Sequence, residues 1–269
     1  MLQTANREIV EIDSTFVRAK YSEKEMQRMI SVSAWRAIWL AGGLSLIWPP
    51  TELMAGTTTS SISRTDEPFG LSTSMVTTGT LLEKWLKVER EVDDERLLLK
   101  ICQDDRASCR SPAALQFLAI VDSARALAGR ARLGEINRAI NLTIRPMSDL
   151  ALYGEEDVWS PPLATLAEGA GDCEDYAIAK FVALQEAGVS AVDLRIVILR
   201  DDIWEEDHAV VAARLDGNWL MLDNRHMVMA EDNQVRKYFR PVFLVDHNGV
   251  RRYSSSSPTS DGSRGMGEF

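Results

Sequence analysis

Near residue 188 the apolar pattern of this chain changes period, and that change limits the fold more than any other feature. Before it, Leu81, Trp85, Val88, Val92 and Leu99 fall near one stripe of LLEKWLKVEREVDDERLLLKI (81–101), with charges between them, as an amphipathic helix requires. Ser111-Pro112 is a capping residue followed by proline at the first helical position, and AALQFLAIVDSARAL carries that helix onward. A third, short helix is predicted over about 134–144, ending before Pro146. After the change come DLRIVILR (193–200), HAVVAARL (208–215), NWLMLDN (218–224) and RPVFLVDH (240–247), apolar or β-branched runs bounded by Asp, Gly and Asn. Helices first and strands after predict an α+β fold, with N-terminal helices packed on an antiparallel sheet.

Between the two halves stands GAGDCEDYAIAKF (169–181), a small acidic turn that runs straight into a helical pattern ending at Gly188. Asp172 is placed to cap that helix and Asp175 to cap back. Cys173 then falls in the first turn, where unpaired amides and the positive end of the helix dipole favour a thiolate. A buried, unreactive cysteine on an ordinary capped helix is the competing reading. The stretch leading in, 147–172, has Pro161-Pro162 and no sustained period, so it reads as a long connection. Trp159 within it either packs on the core or lines a substrate groove.

A thiolate nucleophile needs a base, and the base needs a third group to hold its tautomer. The chain has three histidines, His208, His226 and His247. Asp216-Gly217 between two extended runs signals a two-residue hairpin. In that register Val210 opposes Asp223 and His208 opposes Arg225. His208 and Asp223 then share a face as diagonal neighbours, about 7 to 8 Å apart at the backbone. His226 lies on the other face, and both it and His247 read as surface or loop residues. A three-residue loop would reverse the assignment, because a slip of one residue flips every side chain. Zinc held by Cys173 and His208 lacks the paired-cysteine spacing of such sites.

Composition bounds the rest. With 269 residues and 45% hydrophobic side chains the chain can bury a sizeable core. Its net charge of −10 argues against nucleic acid as a partner. Residues 1–55 read as a leader: AIWLAGGLSLIW (37–48) is too short to span a bilayer comfortably, has basic residues before it and small residues at Ala55-Gly56 after it. Export to the periplasm with cleavage after Ala55 is expected, an N-terminal membrane anchor being the alternative. The length ahead of the apolar run suggests that translation starts at Met26 or Met29. Residues 56–80, rich in Thr, Ser and Gly, read as a flexible linker, 81–253 as the folded domain, and 254–269 as a disordered tail. Cys102 and Cys109 either pair, as suits an exported protein, or stay as two buried thiols.

GDCEDYAIAKF, then DHAVV, then LDN, is similar to the bacterial transglutaminase-like cysteine peptidase family. Its LapG-type members release adhesins in the periplasm. The resemblance runs from about Leu81 to Val245 and includes Cys102 and Cys109, an Asn-x3-Asn element (Asn137, Asn141) and an Asp-x-Trp-x-Pro element (Asp157, Trp159, Pro161). It implies a transglutaminase-like or papain-like core and a cysteine endopeptidase with Cys173 as nucleophile, His208 as general base and acid, and Asp223 as orienting acid. It also implies calcium at Asp172 and Glu174, a protein substrate such as a large cell-surface adhesin, and regulation by an inner-membrane receptor. An acyltransferase of transglutaminase type and a non-catalytic binding module are the alternatives.

Overall fold

In a computed structural model, residues 66–254 are described. The leader with its apolar run, the expected cleavage and start sites, the first part of the linker and the tail beyond Ser254 lie outside them. Helix α1 spans Thr80–Asp104 and buries Trp85, Val88, Val92, Leu99 and Cys102; of the predicted stripe Leu81 is only half-buried, and Cys102 extends it by one turn. Helix α2, Pro112–Arg125, starts where Ser111 accepts a hydrogen bond from the Ala114 amide with proline at the first position. Cys102 and Cys109 are joined by a disulfide across the turn between these helices.

Helix α3, Gly129–Thr143, begins a turn before the expected start. Its first residue follows Ala128, which makes no capping bond, so no start signal exists in the sequence to be read. Within the 147–172 connection, α4 (Asp149–Tyr153) and α5 (Pro162–Glu168) are short helices that the sequence reading missed. Their five and seven residues are too few to show a period. Helix α6, Cys173–Glu186, is buried almost all round, because α2, α3 and α5 pack on one side of it and the sheet on the other.

The sheet is seven-stranded and antiparallel, in the order β1-β9-β8-β4-β5-β6-β7. Its strands are β1 (Thr73–Met75), β4 (Leu194–Asp201), β5 (Glu206–Leu215), β6 (Asn218–Leu222), β7 (Ala230–Glu231), β8 (Phe239–Asp246) and β9 (Gly249–Tyr253). A separate parallel pair joins β2 (Arg145–Pro146) to β3 (Ala170–Gly171), and α7 (Asp232–Val235) lies between β7 and β8. The helices cover one face, where Ala209, Val211 and Ala213 of β5 meet the helical core. Val210, Ala212, Trp219, Met221 and Leu244 line the other face under Phe69 and Tyr253. With both faces covered, strands read as continuous apolar runs, each fully buried large side chain contributing about 1.5–3 kcal/mol. Among the described residues, no helix is long and apolar enough to cross a membrane.

The expectation of a flexible linker over 56–80 fails for its described part. Thr73–Met75 pairs with Arg251–Tyr253, Phe69 is buried against Tyr253, and Glu67 bonds Arg195 and Arg251 at 2.8 and 2.7 Å. Each of these contacts reaches across more than a hundred residues, so local composition carries no trace of them.

Candidate active site

The β5–β6 hairpin turns at Asp216-Gly217, whose φ values of 51° and 81° suit the two left-handed positions of a type I′ turn. Leu215 pairs with Asn218 and Val211 with Leu222, the register expected from the sequence. Asp223 follows the last paired residue. Continuing that register puts its side chain on the face of His208, and His208 Nε2 lies 2.9 Å from Asp223 Oδ1. Both side chains are buried. The Phe239 ring stacks on the imidazole at 6.1 Å. Nδ1 is buried without a hydrogen-bond partner. With the Nε2 proton given to the carboxylate, Nδ1 carries the lone pair.

Asp223 also accepts the Arg225 amide at 2.9 Å. Burial raises its pKa, but the hydrogen bond and charge of His208 outweigh this and hold it down at about 2. Its loop is tied to α3: Asn141 Nδ2 donates to the Asp223 carbonyl at 2.9 Å, and Asn137 Nδ2 donates to the carbonyls of His226 and Met227 at 3.1 and 3.2 Å. The Asn-x3-Asn element is thus one face of a helix gripping the loop that carries the acid. His226 and His247 are exposed, as expected.

Cys173 is the first residue of α6. The backbone amide of Ala209, the residue after His208, lies toward the sulfur of Cys173 and acts to lower the pKa of the thiol. Alternate residues of β5 point their amides toward β6, which ends opposite Val211, so the amide of Ala209 has lost its strand partner and is available to sulfur. The thiol itself donates to Glu174 Oε2 at 3.0 Å. Here the helix start does not by itself favour a thiolate. Burial, and after it the negative charge of Glu174, push the Cys173 thiol well above its usual range.

Of the expected capping box only the second half is present, the backbone amide of Asp172 acting on the Asp175 carboxylate. The Asp172 side chain makes no capping bond. Asp175 reaches into the preceding loop and accepts the Ser160 amide at 3.0 Å. Burial raises Asp175 to about 7, with that amide opposing the rise. Trp159, one residue before, is buried and donates to Asp157 at 2.9 Å, so it packs rather than lining a groove. Gly171 is needed for close approach, since a Cβ there would stand 2.8 Å from that of Asp175. Gly171→Ala is expected to destabilise the fold by roughly 1–3 kcal/mol, read as a lowered midpoint in thermal denaturation.

Asp172 and Glu174 are brought together with a third carboxylate that sequence reading missed. Ligand oxygens of Asp149, Asp172 and Glu174 all lie within 4.8 Å of one another. Asp149 opens α4, 23 residues before Asp172, and only the β2–β3 pair and the turn around it bring it back; no spacing motif marks it. Burial, then the charge of Glu174, push Asp172 far above the ordinary carboxylate range, and Asp149 is raised by burial as well. Asp149 Oδ1 and Asp172 Oδ1 are buried with no hydrogen-bond partner. Three crowded carboxylates with orphaned oxygens and no nitrogen or sulfur donor fit a hard cation such as calcium.

No curated protein matches this sequence. Among solved structures it is similar to LapG of Legionella pneumophila, at 23% identity, with 58% of this chain and 86% of that one covered and a TM-score of 0.48. It is also similar to the calcium-bound form of that protein, at 22% identity over 64% and 93% of the two chains, with a TM-score of 0.49. The EGTA-treated form gives 23% identity over 61% and 87%, also with a TM-score of 0.49. The profile of the bacterial transglutaminase-like cysteine proteinases matches residues 97–240, more than half of the 269 residues and a span that holds Cys173, His208 and Asp223. The chain therefore belongs to the bacterial transglutaminase-like cysteine proteinase family and is a cysteine protease.

Proposed function

We propose that this protease is an exported, calcium-dependent endopeptidase in which Cys173 attacks the peptide carbonyl, His208 relays the proton and Asp223 orients the imidazole. The observation that carries the reading is the buried 2.9 Å bond from His208 Nε2 to Asp223, with Nδ1 unpartnered. The amide of the very next residue, Ala209, lies toward the sulfur. An imidazole held through one nitrogen offers the other to the thiol. His208 takes the thiol proton at Nδ1 and returns it to the leaving amine, and water then releases the acyl group from sulfur. Amides at the start of α6, among them that of Cys173, would stabilise the oxyanion.

Asp149, Asp172 and Glu174 would hold the calcium. When bound, the ion offsets the carboxylate charge beside the sulfur and competes for Glu174, the present acceptor of the thiol proton. Export is supported by the Cys102–Cys109 disulfide, a bond suited to an oxidising compartment, and by the signal-like run in the leader. The resemblance to adhesin-releasing proteases makes a large surface adhesin the first substrate to test, and an inner-membrane receptor the first regulator.

Asp223→Asn tests the triad. The amide can present its NH2 to Nε2 and favour the wrong tautomer, so kcat is expected to fall by about 10²- to 10⁴-fold, and the melting temperature falls as well because His208 and Lys180 lose the buried carboxylate. A variant cleaving at the wild-type rate would remove Asp223 from the mechanism.

A further inference from the structure

Lys180 is fully buried in the middle of α6, two turns after Cys173, and the chemistry described so far does not use it. Taking an ammonium out of water costs several kcal/mol unless its bonds and charge are matched. Neither need is met by a carboxylate at hydrogen-bond distance. Lys180 Nζ donates to the carbonyl of Leu222 at 3.4 Å and lies 5.9 Å from the Tyr176 ring centroid. Leu222 is the last residue of β6, and the next residue is Asp223.

The charge acting on Lys180 is that of Asp223, which opposes the effect of burial; burial brings Lys180 down to about 7. The charged group that acts on this part of α6 is Asp223, just past the end of β6 and bonded to His208 of β5, while α3 contributes the neutral Asn137 and Asn141. A methionine would fill the same space at lower cost. The lysine therefore has a use that packing alone does not supply.

We propose that Lys180 is a positioning residue for the proton-relay pair: it grips the end of β6 through the Leu222 carbonyl and faces Asp223 with a compensating charge, so that the carboxylate stays aligned on His208. Together with Asn141, which holds the Asp223 carbonyl from α3, it fixes the acid from two sides. The proposal rests on the reading that His208 and Asp223 relay the proton.

The test uses the full chain with calcium added, comparing wild type, Lys180→Met and Asp223→Asn. In wild type, the His208 Nε2 proton shared with Asp223 is expected as a protected downfield imidazole resonance, absent in Asp223→Asn. In Lys180→Met it is expected to broaden into exchange with water. Cleavage of a labelled unfolded protein is expected to show kcat about tenfold lower at unchanged KM, a loss that a packing role alone would not produce. A Lys180→Met protein with the resonance and kcat intact overturns the proposal, whether or not it melts lower, and leaves the lysine a packing residue. If wild type lacks the resonance, or Asp223→Asn retains full activity, the relay pair itself fails, an outcome separable from any effect at Lys180.

Discussion

Cys173→Ala is expected to eliminate peptide cleavage, with at least a 10³-fold loss in kcat, while leaving the protein folded. The sulfur is the proposed point of covalent attachment, and neither neighbour can replace it: Glu174 is an acceptor of its proton and Ala209 offers only a backbone amide. Alanine deletes a single atom of a half-buried side chain that burial and the carboxylates of Glu174 and Asp172 already disfavour in its charged form. The melting temperature should therefore stay within a few degrees of wild type. Alkylation with iodoacetamide gives an independent reading, because Cys173 is the free thiol among the described residues. Loss of activity in step with labelling of Cys173 supports the nucleophile. Persistent cleavage by the alanine variant, or by fully alkylated protein, refutes it.

Calcium removal is the second large effect. With Asp149, Asp172 and Glu174 within 4.8 Å of one another, the site without a cation is electrostatically unfavourable, as the raised pKa values of Asp149 and Asp172 register. Excess EGTA is expected to stop cleavage and restored calcium to return it in full. A ligand at 100 times its Kd stabilises the state that binds it by about 2.7 kcal/mol, so calcium should raise the melting temperature by several degrees. Asp149→Asn, Asp172→Asn and Glu174→Gln should each weaken that thermal shift. Magnesium, which demands tighter octahedral geometry and sheds water reluctantly, should reproduce it poorly. Full activity in excess chelator, together with a melting temperature indifferent to calcium, would leave the three carboxylates without this role.

Much of the relay pair is legible in the sequence. Asp216-Gly217 specifies a turn of two residues, that turn determines the pairing register, and alternation then assigns His208 and Asp223 to one face. The disulfide, by contrast, remained one of two readings until the turn between α1 and α2 brought the sulfurs together. Trp159 likewise had two readings, and its burial decided for packing. The helices α4 and α5 escaped because they are shorter than the window in which a period can be recognised.

Local order along the chain determined the class of fold, the helix that begins at Cys173 and the hairpin that presents an imidazole beside a carboxylate, because propensity, capping and alternation act between residues close in sequence. Tertiary packing alone decided that Asp149 joins Asp172 and Glu174, that Phe69 packs on the second face of the sheet, and that Lys180 bonds the carbonyl of Leu222 beside Asp223. Those juxtapositions depend on where whole elements dock, and docking is governed by shape and burial summed over many side chains, which leave no spacing rule behind in the sequence.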